Sequence, residues 1–184
     1  MRKIFFTSDT HFGQQSTFDL SMRSMYFKDV EEMDIEMISR WNEVVSPYDI
    51  VYHLGDFGNF DVAKKLNGDI IMLEGNYEKK PEYSISEKQR KYFKHIWSRE
   101  IAHYYDSDSK VEVREFAMVH EPENARDYNG FYLFGHIHEK QKVKKNGLNV
   151  GVDVHNFTPV SEETVEFYRN AIQNIYDDNC FINY

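Results

Sequence analysis

Five short stretches of the 184-residue chain end an apolar run in a group that can bind a metal. They read SDTH at residues 8–11, LGD at 54–56, EGN at 74–76, VH at 119–120 and GHIH at 135–138. Their donors are Asp9, His11, Asp56, Asn76, His120, His136 and His138. Imidazole and carboxylate together suit borderline divalent ions such as manganese, iron, zinc or cobalt. Seven donors are too many for one such ion with an open position. They suit two ions that share a bridging carboxylate. The D-x-H and H-x-H spacings put both members of each pair on one face of an extended segment. The glycines before Asp56, Asn76 and His136 permit backbone turns that a side chain would obstruct.

Each motif alone has an ordinary explanation. A single strand-end histidine is more often hydrogen-bonded structure than ligand, and Gly-Asp and Gly-Asn are common turn pairs. Turn chemistry does not account for five such motifs, each after its own apolar run. A metal pair has a mechanistic meaning. It clamps a phosphoryl group, lowers the pKa of a bridging water and presents hydroxide for in-line attack. It also supplies the local positive charge that an anionic substrate needs. The chain itself carries a net charge of −9, which argues against a general electrostatic hold on long nucleic acid. The single cysteine, Cys180, excludes an internal disulfide and fits a reducing compartment. The start, MRKIFFTSDTHFG, is basic and then apolar, but Asp9 and His11 interrupt the run too early for a signal peptide. No stretch reaches membrane-span length, so we expect a soluble cytoplasmic protein without a membrane partner.

The donors must be carried by strands, and the pattern supplies them. Lys3 to Thr7, Ile50 to Leu54 and Asp69 to Leu73 read as three strands. Between the first two, residues 12–28 lack a period and read as a loop. Asp29 opens a helix, with Glu32 as a capping-box partner. Val30, Met33, Met37, Trp41 and Val44 form its buried face, and Ser46-Pro47 ends it. Asp61 to Leu66 is a short helix closed by Asn67-Gly68, and Ser84 to Lys94 reads as another helix. The second half then changes character. Ile96 to Tyr105 and Val111 to Val119 read as strands around the turn DSDS, whose Asp106 and Asp108 suit solvent. Phe131 to Phe134, Gln141 to Lys144 and Leu148 to Val154 follow, with Asn146-Gly147 marking a hairpin. Ser161 caps a last helix whose face is Val165, Tyr168, Ile172 and Ile175. The first half is therefore α/β and the second mostly antiparallel β, within a single domain spanning 1–184. In open α/β sheets ligands gather at the carboxyl ends of the strands, where all seven donors fall.

The ordered series SDTH, LGD, GN, VH and GHIH resembles the calcineurin-like metallophosphoesterase superfamily. The surrounding stretches DTHFG, WNEVV, VYHLGDF and NVGVDVHNFTPVS are similar to a small bacterial and phage-type branch of predicted phosphoesterases. The resemblance spans nearly the whole chain. It implies a four-layer α/β/β/α sandwich of two mixed sheets. It also implies two divalent ions, manganese first, with iron, zinc, cobalt or nickel accepted by the same ligands. One would be held by Asp9, His11, Asp56 and His138. The other would be held by Asp56, Asn76, His120 and His136, with Asp56 as the bridge. The implied activity is hydrolysis of a small phosphate ester, a nucleotide among the candidates, by a hydroxide bridging the metals. Asp56, Asn76, Tyr77 and His120 are the implied catalytic groups.

Two residues depart from that pattern. Similar proteins have Gly-Asn-His followed by an acid, with the histidine near the leaving-group oxygen; here the run is Gly75-Asn76-Tyr77-Glu78. A tyrosine, with a reference pKa of about 10, is a poorer acid. Losing a positioned general acid costs roughly 10² to 10⁴ in rate. Either the metals suffice for substrates with stabilised leaving groups, or His103 or His155 supplies the proton, or the protein is a metal-stabilised binding module. A diester fits the missing acid better than a monoester or a phosphoprotein. The second departure is Gln14, where similar sequences often have histidine. Arg23 and Tyr77 are the candidate substrate-binding residues, Arg23 because a loop arginine can fork onto a phosphate. His53, before LGD, is a candidate buried donor behind the ligands.

Overall fold

The computed structural model describes residues 2–106 and 114–175. Its strands are β1 (Ile4–Thr7), β2 (Ile50–His53), β3 (Asp69–Leu73), β4 (His95–Trp97), β5 (Ile101–Asp106), β6 (Arg114–Val119), β7 (Tyr132–Phe134), β8 (Val143–Lys144), β9 (Gly147–Asn149) and β10 (Val160–Ser161). Its α-helices are α1 (Gln15–Leu20), α2 (Val30–Val44), α3 (Glu87–Arg90) and α4 (Glu162–Ile175). The DSDS turn beyond Asp106 and Cys180 lie outside the described residues.

The strands form two mixed sheets. The first has the order β10-β1-β2-β3-β4, parallel from β1 to β4 with β10 antiparallel at the edge. Parallel pairing in register, with Thr7 opposite His53 and His53 opposite Met72, brings the carboxyl ends of β1, β2 and β3 to one edge. The second sheet has the order β5-β6-β7-β9-β8. Its outer pairs are antiparallel, while β6-β7 and β7-β9 are parallel. This corrects the expectation of a mostly antiparallel second half. A turn of 3₁₀ helix at Pro122–Ala125 returns the chain so that β7 lies parallel to β6.

The sheets pack face to face. Phe6, Leu54 and Leu73 from the first meet Tyr104, Phe116, Met118, Leu133 and Leu148 from the second in one buried cluster. Helix α4 adds Val165 and Ile172 to that cluster and touches β1, β9 and β10, so it closes one flank of the sandwich. Ile175 is exposed. The outer face of the first sheet is covered by α2 through Met33, Met37 and Trp41. Asp29 caps α2 by accepting from the Glu32 N–H, as expected. Val44 is exposed, and Val45, one residue past the helix, takes the buried place.

Three further expectations are corrected. Residues 12–28 contain α1 and a 3₁₀ turn at Met22–Met25. Between Ser84 and Lys94 only the four residues of α3 are α-helical. Phe93 turns inward onto Phe57 and Phe60, and the Lys94 N–H pairs with Ile70, which pulls the chain into β4. The run from Ile96 to Tyr105 is two strands in different sheets, because the chain crosses the sandwich at Ser98–Glu100.

Candidate metal centre

The site stands at the edge where the carboxyl ends of both sheets meet. Asp9 and His11 follow β1, Asp56 follows β2 and Asn76 follows β3. His120 follows β6, and His136 and His138 follow β7. Backbone bonds lock these exits together. The Asp9 N–H donates to Gly55 O, the His11 N–H to Asp56 O and the Gly135 N–H to His120 O, each at 3.0 Å. The sheets are joined here as well, because the His136 N–H donates to the Asp9 carboxylate at 2.9 Å.

Asp9, His11, Asp56, His136 and His138 all adopt positive φ, between 48° and 69°. Left-handed backbone is uncommon outside glycine and costs free energy, so its recurrence at five donors marks a constrained site. Gly135 shows why the approach is so close. A Cβ there would lie 2.2 Å from Ser8 Oγ and 2.3 Å from Asp9 Oδ2.

The histidines are aimed from behind. Gln14 Oε1 accepts from His11 Nδ1 at 2.6 Å, Leu54 O from His120 Nδ1 at 2.8 Å, and Asp153 Oδ2 from His138 Nδ1 at 2.9 Å. Each bond leaves Nε2 free to face the centre, the arrangement found around metal-binding imidazoles. Asp56 Oδ2 lies 3.5 Å from His11 Nε2 and 3.5 Å from His120 Nε2. Asn76 Oδ1 lies 2.8 Å from His120 Nε2 and 3.1 Å from His136 Nδ1.

The charge balance favours a cation. Burial holds His11 down to about 4 against the pull of Asp9, so its ring is neutral. Burial also opposes charge on His120, but the hydrogen bond and charge of Asp56, together with Asp9, lift it to about 9. Asp56 falls to about 2 despite burial, because His120 and His11 face it and the Tyr77 N–H donates to it. A pocket that keeps a buried imidazole charged is strongly electronegative.

The residues fit a pair of divalent ions on three counts. His11 Nε2 is fully buried without a hydrogen-bond partner. The donor atoms fall into two compact groups, Asp9 with His11 and His138, and Asp56 with His120 and His136. Two atoms bound about 2.1 Å from one ion stand about 3.0 to 3.5 Å apart, the separation seen on either side of Asp56 Oδ2.

The structure places the other expected residues as follows. Tyr77 is half-buried beside His11, with ring centroids 5.0 Å apart. Gln14 accepts from His11 and so stands behind that ring. His53 is buried behind the donor side chains. Its Nδ1 accepts from the Gly55 N–H, which leaves Nε2–H to donate to Thr10 Oγ1 at 3.0 Å. His155 is held by Asn149 O, and burial lowers it to about 4. His103 is half-exposed on β5 beside Glu115 and Tyr128. Arg23 corrects an expectation. It is wholly buried, forks onto Asp153 at 2.8 and 2.9 Å, and donates to the carbonyls of Thr10 and Asp9. Met33 Sδ faces its last N–H, so no donor is left for a phosphate.

Two carboxylates carry roles that the strand-end pattern did not reveal. Glu78 is buried and accepts from the N–H groups of Asp56, Phe57 and Gly75 at 2.8–2.9 Å, tying the Gly-Asp exit to the Gly-Asn exit. Its position directly after GNY was the available signal. Asp153 joins His138 to Arg23, and nothing local in VGVDVHN marks it.

The family model of the calcineurin-like phosphoesterase superfamily domain matches residues 2–158. The chain belongs to this superfamily. It is 31% identical over 182 residues to the Methanocaldococcus jannaschii "Uncharacterized protein MJ1445", covering 90% of each chain. Its fold is similar to that of the Aquifex aeolicus protein AQ665 in its crystal structure. The TM-score is 0.71 at 21% identity, over 91% of this chain and all of that one. The two mixed sheets are those of the metallophosphoesterase fold, and the two donor groups can hold divalent ions. Among the described residues no helix is long and apolar enough to cross a membrane.

Proposed function

We propose that this superfamily member is a dinuclear phosphodiesterase acting on a small phosphate ester, with manganese as the favoured ion. One observation carries the reading: a single oxygen, Asp56 Oδ2, stands 3.5 Å from a histidine of each donor group. Asp56 would therefore bridge the two ions. Asp9, His11 and His138 would complete the ligands of one, and Asn76, His120 and His136 those of the other. Bound there, two ions supply Lewis acidity toward the phosphoryl oxygens and lower the pKa of a bound water.

The chain's own residues do the rest. The hydrogen bonds behind His11, His120 and His138 fix each ring before substrate arrives, so no reorganisation is needed during reaction. Glu78 holds Asp56 and Asn76 in register through their loops. Tyr77 occupies the substrate side, where a strong acid would otherwise protonate the leaving group. A monoester with an alkoxide leaving group depends on that acid; a diester with a stabilised leaving group depends on it less.

The test compares bis-p-nitrophenyl phosphate with an alkyl monoester, β-glycerophosphate, whose leaving group is an alkoxide, on manganese-loaded wild type and Asp56→Asn. Diester turnover above monoester turnover, lost in Asp56→Asn, is expected. Activity surviving Asp56→Asn overturns the shared-bridge reading. No turnover of any diester, with two ions per chain confirmed by elemental analysis, points instead to a binding module.

A further inference from the structure

We infer that Tyr77 serves through its ring: with Leu20 it lines a subsite for one aromatic or heterocyclic group of the phosphate ester. The inference rests on the phosphoesterase reading and adds a substrate class to it. A cleft of about 200 Å³ adjoins the metal centre, lined by Ser16, Thr17 and Leu20 of α1, by its C-cap Ser21, by Tyr77, and by the turn His138–Lys140. It is continuous with the centre, because His138 belongs to both and Tyr77 touches His11 edge-on. Drug-sized ligands fill clefts of about 300–1,000 Å³. At about 30 Å³ per water, the volume corresponds to roughly seven waters, enough for one substituted ring.

Two features make this cleft a ring site. Leu20 is 88% exposed, an apolar side chain left in water beside a cleft it lines. Burying that surface against a ligand is favourable. The Tyr77 ring, in turn, is already immobilised. The Lys80 ammonium lies 4.1 Å from its centroid, Tyr83 packs at 5.1 Å and His11 at 5.0 Å. Its backbone N–H is tied to Asp56. A stacking partner that is ordered beforehand loses little entropy on binding. Among the described residues no hydrogen bond engages the Tyr77 hydroxyl, whereas its ring meets His11, Tyr83 and Lys80. Tyr77 lines the cleft, whereas Lys80 does not. Lys140 stands at the cleft as a cation for a polar substituent.

The experiment is calorimetric and needs no turnover. Methylphosphonate and phenylphosphonate are titrated into manganese-loaded protein; both present a phosphonate, and one carries a ring. Phenylphosphonate is expected to bind about three- to tenfold more tightly, as aromatic stacking supplies. Leu20→Ser, on an exposed position, and Tyr77→Ala should each bring the two constants together, while Tyr77→Phe keeps them apart. Equal binding of both ligands by wild type overturns the ring subsite and leaves the metal centre standing. A preference that survives both Leu20→Ser and Tyr77→Ala also overturns it. Failure of both ligands to bind metal-loaded protein overturns the phosphoesterase reading itself, and the subsite with it.

Discussion

Replacing Arg23 by methionine separates a structural arginine from a substrate-binding one. The side chain is wholly buried, and each of its five N–H groups meets an acceptor: two on Asp153, one each on the Thr10 and Asp9 carbonyls, one on Met33 sulfur. Methionine fills much of the volume and provides none of these bonds. Removing one partner of a buried ion pair costs about 3–5 kcal/mol, because the other charge stays behind. For a chain of this size each kcal/mol moves the melting temperature by about 2–4 °C, so a fall of about 6–20 °C is expected. In the wild type Asp153 stays ionised across pH 5 to 8. Burial opposes the Asp153 charge, but Arg23 and the His138 hydrogen bond override it and hold the carboxyl well below its ordinary range. A depressed carboxyl contributes stability above its unfolded pKa of about 3.9 and loses it only as the pH falls through the folded value. The assay is thermal unfolding of metal-free protein, paired with KM for a diester. A melting temperature within about 2 °C of wild type, with KM raised tenfold or more, would show that Arg23 reaches substrate and refute the argument.

Three further expectations can be measured directly. Gln14→Leu frees the His11 ring from its hydrogen bond, so manganese affinity by calorimetry should weaken about 10- to 100-fold with the fold unchanged; equal affinity means His11 is oriented by other contacts. Burial lowers His53 to about 3, and His11 and His155 to about 4. Their unfolded forms take up protons below about 6.5, so metal-free protein should lose roughly 3–4 kcal/mol per pH unit near pH 5 in urea titrations. His155→Gln should flatten that slope; an unchanged slope would remove His155 from the account. Tyr77→His places an imidazole acid on the substrate side and should raise monoesterase turnover relative to diesterase turnover. An unchanged ratio, with metal content intact, means the leaving group is served from elsewhere.

The strand exits were legible because their signals are local. An apolar run followed by glycine and a donor encodes both the strand and the tight turn that aims the side chain, as at Gly135-His136. The Arg23–Asp153 pair was not legible, since its members lie 130 positions apart and meet only after both sheets have formed. The split of Ile96–Tyr105 was hidden for a related reason. Both halves have strand character, and only tertiary pairing, with Trp97 beside Leu73 and Ile101 beside Val119, assigns them to different sheets. Helix α1 was missed because its six residues bury only Thr17 and Phe18, too few to register a period.

The interlock between the Asp9 carboxylate and the His136 N–H has a kinetic consequence. These residues lie 127 positions apart and belong to different sheets. Closing so long a loop comes late, since its entropy must be lost before any contact compensates. Neither sheet alone holds a full donor set. Metal uptake therefore reports the final docking of the two sheets, and a refolding experiment followed by metal binding should lag one followed by helix signal. In a cell, the ion would act as a proofreader of completed folding, retained only by chains whose halves have found each other.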